Sequence, residues 1–288
     1  MKRKTSRTWL LSAAAPRSEQ AFTRIELLVV VVTVAMLSGL LLTARARPDD
    51  NGARMVCINN LRQMGLAVKM YAGDNNDYLT WPNWDGAGAT TPGWLYTRNV
   101  NGVFGIPRPN DTAHFPGDSA WKFGLWYVYV QNSRSFLCPV DIERPSYKAV
   151  QRPNMLSSYT MNGADAGFPQ AENEYQYKTC KITDVWSSAC YLMWEPDEYL
   201  TASGVHSSSP NLSTFNDGAV NPSAPPSSSQ GLGWMHSVNG NEILSVGGDV
   251  KFVTMRQFMA DSNTASGRGP GPGGKTYLWW SPFSSDGH

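Results

Sequence analysis

A strongly apolar run behind a basic leader constrains this chain more than any other feature of its sequence. The run extends from Leu27 to Leu42, and counted from Phe22 it is 21 residues long. A helix of that length measures about 31 Å, enough to cross the hydrocarbon core of a bilayer. The first 20 residues carry five Lys or Arg and one acid. By the positive-inside rule we expect a single membrane pass, with the leader in the cytoplasm and the C-terminal body exported.

An acid lies at the edge of this apolar run. Glu26 follows Phe22 by four positions, and an ionisable group in such a segment is costly and usually functional. An ordinary cleaved signal peptide is the alternative, because residues 43–46 offer an imperfect small-residue cleavage site after the run. The acid argues against that alternative.

The stretch AFTRIELLVV at residues 21–30 resembles the cleavage and methylation motif of type IV prepilins and type II secretion pseudopilins. The resemblance implies that prepilin peptidase cuts between Ala21 and Phe22, that the amine of Phe22 is methylated and that the apolar segment is retained. It also implies that Glu26 is the assembly acid, paired with the N-terminal amine of a neighbouring pilin-like subunit. A carboxylate in an apolar bundle needs such a cationic partner. Two residues depart from the motif: Ala21 replaces the usual Gly, and Arg24 replaces an apolar residue.

Four further stretches resemble a large subgroup of prepilin-like proteins with an otherwise uncharacterised exported domain. They are residues 57–79, FLCPVD at 136–141, SYTMNG at 158–163 and residues 181–195. That subgroup usually ends in a His-x9-Asp-Gly signature, from which this chain departs. His236 is present, but Gly247-Gly248-Asp249 occupies the expected Asp-Gly-His positions. We expect His236 and Asp249 to bond within their loop, with a metal or partner site as the alternative.

We predict an α+β, pilin-like fold. A long N-terminal helix, broken near Pro48, consists of a transmembrane and assembly half at 22–43 and an amphipathic half at 44–73. It packs on an antiparallel β-sheet with long loops, within an exported globular domain at 74–288. Residues 1–21 form the basic leader.

Periodicity places the main elements of the exported part. Apolar residues recur at three- and four-residue steps and predict a helix with one buried stripe: Met55, Ile58, Leu61, Met64, Val68 and Tyr71. Aromatic and β-branched runs predict strands at 125–130, 189–194, 242–246 and 249–253. Gly247-Gly248 joins the last two runs as a two-residue hairpin.

The cysteines and acids allow several kinds of site. The four cysteines, Cys57, Cys138, Cys180 and Cys190, show no C-x-x-C spacing, which argues against a zinc or thioredoxin-like motif. An even count in an exported domain permits one or two disulfides, and buried free thiols are equally open. We predict no cofactor and no metal. The weak metal candidates are Asp249 and the helix-ending acids Asp74 and Asp77, where we expect a solvated turn because EF-hand spacing is absent.

The charge balance argues against nucleic-acid binding, and the sequence motifs argue against catalysis. The chain has 24 basic and 23 acidic residues, so it has no basic excess for nucleic acid. The P-loop spacing at 269–276 fails because Pro270 and Pro272 lack the amides that cradle phosphate, and no other catalytic motif is present. We predict that the chain is not an enzyme but a structural subunit of a type IV pilus-like or type II secretion filament. It is expected in the inner membrane, with its body in the periplasm or outside the cell.

A membrane-anchored binding module that forms no filament is the alternative function. In it, tryptophans in loops hold a glycan or cell-surface polymer: Trp81, Trp84, Trp94, Trp279 and Trp280. The competing interpretation is that these large aromatic side chains fill an irregular core.

Overall fold

The computed structural model describes residues 23–43, 50–84, 91–167, 179–200, 205–221, 230–263 and 268–288. The chain forms two compact units, Met1–Arg47 and Pro48–His288. The predicted leader and the processing residues Ala21 and Phe22 lie outside the described residues.

The first unit contains helix α1, Arg24–Thr43. Thr23 and Glu26 form a capping box at its start: the Glu26 amide donates to Thr23 Oγ1 at 3.3 Å, and the Thr23 amide donates to Glu26 Oε2 at 2.8 Å. The apolar side chains described in α1 are 44–74% exposed: Ile25, Leu27, Leu28, Val29, Val30, Val31, Val32 and Val34. Within the described ranges, no helix combines the length and the apolar character that a membrane crossing requires.

The predicted amphipathic helix is present in the second unit as α2, Asp50–Asp74. Its buried stripe differs from the predicted one, because Met55 is 51% exposed while the small residues Ala53 and Cys57 face the body. Small side chains at these positions let α2 pack closely against the body of the unit. Close packing, and not apolar character alone, therefore decides that Met55 stays on the exposed face. The buried positions of the stripe are Ala53, Cys57, Asn60, Leu61, Met64, Gly65, Ala67, Val68 and Ala72.

Among the residues that the structure describes, five short strands form one sheet in the order β3-β1-β2-β4-β5. They are β1 Thr160–Asn162, β2 Tyr191–Trp194, β3 Ala219–Val220, β4 Gly240–Ser245 and β5 Val250–Thr254. The α+β class is confirmed, but the sheet is mixed rather than antiparallel, because β3 runs parallel to β1. The long connection between these two strands, which contains β2, gives the chain room for the crossover that a parallel pair needs.

The predicted strands at 189–194, 242–246 and 249–253 correspond to β2, β4 and β5, and β4 and β5 form the expected antiparallel hairpin. The strand predicted at 125–130 is wrong, because this segment contains helix α3, Tyr127–Val130. Gln131 ends α3 in the left-handed region, at φ 52°, which turns the chain away from an extended course.

The other helices in the described part of the chain are short. They are α4 Pro145–Lys148 and α5 Met255–Asn263. Single 3₁₀ turns occur at Trp121–Phe123, Ser133–Phe136, Asp141–Glu143, Gly163–Asp165, Ile182–Asp184, Leu212–Phe215 and Pro272–Gly274.

Large aromatic side chains fill the core of the second unit. Trp94 and Trp280 are fully buried, and Trp81 and Trp279 retain at most 8% exposure. Trp84 is partly buried against the same core. Four of the five tryptophans proposed as a stacking surface are therefore core residues, which confirms the alternative that they fill an irregular interior.

Candidate functional site

Four side chains that can bind a metal or react with one another meet inside the second unit. Cys57 lies on α2, Cys138 lies in the FLCPVD stretch, Glu195 directly follows β2, and His236 precedes β4. Their Sγ, Oε and Nε2 atoms all lie within 4.8 Å of one another. We call these four residues the Cys–His–Glu cluster.

The imidazole of His236 is at the centre of the Cys–His–Glu cluster. His236 Nε2 lies 3.2 Å from Cys57 Sγ and 3.5 Å from Cys138 Sγ. It also lies 3.4 Å from Glu195 Oε2, and both of these side chains are only 1% exposed. The two cysteines are equally buried. The cluster is thus closed to solvent and leaves no open position for a substrate.

The α2 side of the cluster is held by hydrogen bonds from Asn60, one turn beyond Cys57. Asn60 Nδ2 donates to the Leu137 carbonyl at 3.0 Å and to the Tyr159 hydroxyl at 3.2 Å. These bonds tie α2 to the segment that carries Cys138. The two cysteines therefore face each other because tertiary hydrogen bonds fix the two segments together.

The carboxylate side is fixed by the sheet. Asn241 Nδ2, on β4, donates to Glu195 Oε2 at 3.3 Å. The Gly233 amide donates to the Glu195 carbonyl at 2.9 Å, which holds the loop of His236 against the end of β2. Glu195 Oε1 and His236 Nδ1 have no hydrogen-bond partner among the residues that the structure describes.

Burial and mutual contact set the protonation of the cluster. Burial alone would lower the pKa of His236, but its hydrogen bonds to Cys138 and Glu195 and the charge of Glu195 raise that pKa to about 10. Burial opposes ionisation of Glu195, yet the bond and charge of His236 hold its pKa below the usual range. Burial raises the pKa of the Cys138 thiol well above its ordinary value. Without a bound ion, the cluster holds a buried His–Glu ion pair and protonated thiols.

A second buried cluster, formed around Arg152, lies next to the first. Arg152 donates to Asp141 at 2.6 and 2.7 Å and to Glu198 at 2.6 and 2.8 Å, and all three side chains are fully buried. The Ser158 hydroxyl accepts from the Cys138 amide at 3.0 Å and donates to Asp141 at 2.7 Å, so it links the two clusters. FLCPVD and SYTMNG thus supply residues that tie loops together.

The predicted site residues are distributed differently from expectation. His236 bonds to residues as far as 179 positions away, whereas the Asp249 amide donates to Ser245. Asp74 accepts from the Tyr129 hydroxyl at 2.8 Å, and Asp77 accepts from the Thr183 hydroxyl at 2.6 Å. The three acids predicted as weak metal candidates, Asp74, Asp77 and Asp249, are thus not part of the Cys–His–Glu cluster.

All four cysteines are buried free thiols in the structure. Only Cys57 and Cys138 belong to the cluster, and Cys180 and Cys190 lie outside it. A disulfide among these cysteines therefore stays a prediction. The sequence offered no ligand spacing for the cluster, because its four residues come from four separate segments. Each segment was singled out by resemblance: Cys57, Cys138 and Glu195 lie in the stretches 57–79, 136–141 and 181–195, and His236 is the signature histidine.

No family model matches the chain, and searches of curated proteins and of solved structures also return no match.

Proposed function

We propose that this chain is a pilin-like structural subunit, processed before Phe22 and assembled into a type IV pilus-like or type II secretion filament. The observation that carries the proposal is Glu26 in the first turn of α1, a helix whose described apolar side chains are exposed. Prepilin peptidase, other pilin-like subunits and the inner membrane are its proposed partners.

The apolar surface of α1 supports this proposal. Every apolar side chain described between Ile25 and Val34 is at least 44% exposed, with no polar face between them. Soluble proteins rarely expose a contiguous apolar surface of this kind, and such surfaces mark contacts with lipid or with other chains. A bundle of equivalent helices from neighbouring subunits would cover it.

The position of Glu26 supports assembly rather than simple anchoring. Its carboxylate accepts hydrogen bonds from the amide and hydroxyl of Thr23, both through Oε2. Two neutral donors do not offset a full negative charge in an apolar surrounding. The methylated amine of Phe22 from a neighbouring subunit would supply the missing positive charge.

The exported unit supports a structural role. Its buried acids Asp141, Asp197 and Glu198 are each paired with arginine, and the Cys–His–Glu cluster is enclosed. We therefore propose a body that is presented by the filament and does no chemistry of its own.

Substitution of Glu26 tests the proposal. Glu26→Ala should leave the protein in the membrane fraction but abolish its recovery in sheared filaments, because the inter-subunit ion pair is lost. Thr23→Ala is the matched control, since it removes the capping hydroxyl and keeps the acid, and it should still assemble. Normal assembly of Glu26→Ala would refute the salt-bridge argument.

Processing is tested by mass spectrometry of the N-terminus of the native protein. We expect a chain that begins with N-methylated Phe22. An intact Met1, or a start near Arg47, would remove the basis of the proposal.

A further inference from the structure

We propose that the Cys–His–Glu cluster is a structural zinc site, with Cys57, Cys138, Glu195 and His236 as its four ligands. The inference is independent of the filament proposal, because it concerns only the second unit. It assigns one function to four residues that the sequence presents separately.

The geometry of the donor atoms fits a tetrahedral ion. Donor atoms around a four-coordinate zinc stand about 3.3–3.8 Å apart, as follows from metal–ligand distances of about 2.0–2.3 Å. His236 Nε2 lies 3.2, 3.4 and 3.5 Å from its three neighbours in the cluster. Only small side-chain adjustments would bring all four donors onto one ion.

The chemistry of the ligands selects the metal. Two thiolates, an imidazole and a carboxylate form a mixed sulfur and nitrogen set that zinc prefers. Calcium and magnesium require oxygen ligands, of which the cluster supplies one carboxylate. Complete enclosure by four protein ligands is typical of structural rather than catalytic zinc.

The surroundings of the cluster also point to an ion. Glu195 Oε1 is buried without a hydrogen-bond partner among the described residues, and an unpaired buried carboxylate oxygen is costly unless it binds an ion. The remaining contacts are those that orient ligands: Asn241 holds Glu195, and Ser158 accepts from the Cys138 amide.

The site would fasten four segments of the second unit to one another. Cys57 lies on α2 and Cys138 in the FLCPVD segment, while Glu195 follows β2 and His236 precedes β4. A single ion at this point links residues 179 positions apart in the chain. Since binding requires the folded arrangement, bound zinc would stabilise the unit.

A Cys57–Cys138 disulfide is the competing chemistry, because oxidation would remove two ligands. The full-length chain, extracted in a mild detergent without reductant, distinguishes the two. Elemental analysis should find about one zinc per chain, and peptide mapping should find both thiols reduced. A Cys57–Cys138 disulfide in a protein without zinc overturns the proposal.

Ligand substitutions locate the metal. Cys57→Ser and His236→Gln should each lose most of the bound zinc, whereas Cys190→Ser, at a buried thiol outside the cluster, should retain it. Full zinc content in both ligand variants would place the metal elsewhere and overturn the proposal.

A titration of the wild-type chain covers the case in which the ligand variants fail to fold. After removal of zinc with a chelator, one equivalent of cobalt(II) should produce thiolate-to-cobalt charge-transfer absorption and the intense visible bands of tetrahedral cobalt. Zinc should then displace the cobalt and raise the melting temperature. Absence of the charge-transfer absorption overturns the proposal.

Discussion

Arg152 carries a full positive charge with no exposed side-chain surface. It donates two hydrogen bonds to Asp141 and two to Glu198, and it lies 4.1 Å from the centre of the Phe215 ring. The planar guanidinium has five N–H donors and can form two hydrogen bonds to each of two carboxylates, whereas the ammonium of a lysine has only three donors. The acids Asp141 and Glu198 are tolerated in the interior because this arginine is there.

Replacement of Arg152 should therefore destabilise the second unit. Arg152→Met leaves two buried carboxylates without their cation, and we expect a loss of about 3–5 kcal/mol in the free energy of unfolding. Arg134→Met, at an exposed arginine, is the control and should change this free energy by less than about 0.5 kcal/mol. Guanidinium denaturation followed by tryptophan fluorescence measures both. Equal stabilities would show that the buried network contributes nothing.

Asp165 is a buried acid of the opposite kind. Neither carboxylate oxygen has a hydrogen-bond partner of normal geometry among the described residues. Burial raises the pKa of Asp165 well above its ordinary value, and the amides of Ala166 and Asp165 oppose this shift only in part. The folded chain thus keeps a proton that the unfolded chain releases near pH 4. Proton binding at Asp165 therefore favours the folded state. Its contribution to the free energy of unfolding is complete below that pH and declines as the pH rises.

Asp165→Asn should remove this pH dependence. The amide has nearly the same shape and stays neutral, so the variant should be more stable than the wild type at pH 7. The difference should shrink as the pH approaches 4, where the wild-type carboxyl is protonated in both states. Melting temperatures of both proteins between pH 4 and 8 measure it. A difference that does not vary with pH would contradict the assignment of a buried protonated carboxyl.

At the scale of elements, the position of α2 is set by its close approach to the β4–β5 hairpin. A Cβ atom at Gly65 would lie 2.8 Å from the Gly248 carbonyl and 2.9 Å from Leu244 Cδ1. Gly248 itself has a φ of +82°, which the turn between the strands requires. Arg54 Nε adds a hydrogen bond of 2.9 Å to Glu242 on β4.

Two glycines in the same helix test this packing. Gly65→Ala should lower the free energy of unfolding by about 1 kcal/mol or more, because overpacking exceeds the gain in helix propensity. Gly73→Ala, where no atom lies within 4 Å of the added methyl group, should raise it by about 0.5–1 kcal/mol. Chemical denaturation of the two variants gives both values. A stabilising Gly65→Ala would mean that the helix and hairpin are not in close contact.

Elements with a strong local pattern could be predicted from the sequence, and those fixed by tertiary contacts could not. The periodicity of α2 and the Gly247-Gly248 turn of the hairpin are local signals, and both elements are present. Strand β3 has two residues and exists only through its pairing with β1, so no pattern could reveal it. The segment 125–130 has strand-forming residues, but its course is set by Gln131 and by bonds to residues 93 and 94.

The Cys–His–Glu cluster could not be predicted for the same reason. The absence of C-x-x-C spacing excludes only sites whose ligands are neighbours in sequence. Here Cys57 and His236 are 179 positions apart, and their contact depends on the packing of α2 beside the sheet. The FLCPVD stretch did contain two side chains of these clusters, since Cys138 belongs to the Cys–His–Glu cluster and Asp141 to the Arg152 cluster.

At the scale of the whole molecule, α2 belongs to the compact unit Pro48–His288. Leu61, Met64 and Val68 contribute to the core of this unit, and Cys57 contributes to the cluster. The helix is therefore part of this unit and not a spacer in front of it. The smallest independent piece should begin near Pro48.

Two truncated chains test this boundary. Residues 48–288 should fold alone and unfold cooperatively, because they contain the whole core and all four residues of the cluster. Residues 75–288 lack α2, so the apolar face of the sheet is uncovered and Cys57 is missing. This shorter piece should show no cooperative thermal transition by circular dichroism, and it should bind hydrophobic dyes. A cooperative transition at the same temperature in both pieces would show that α2 does not hold the second unit together.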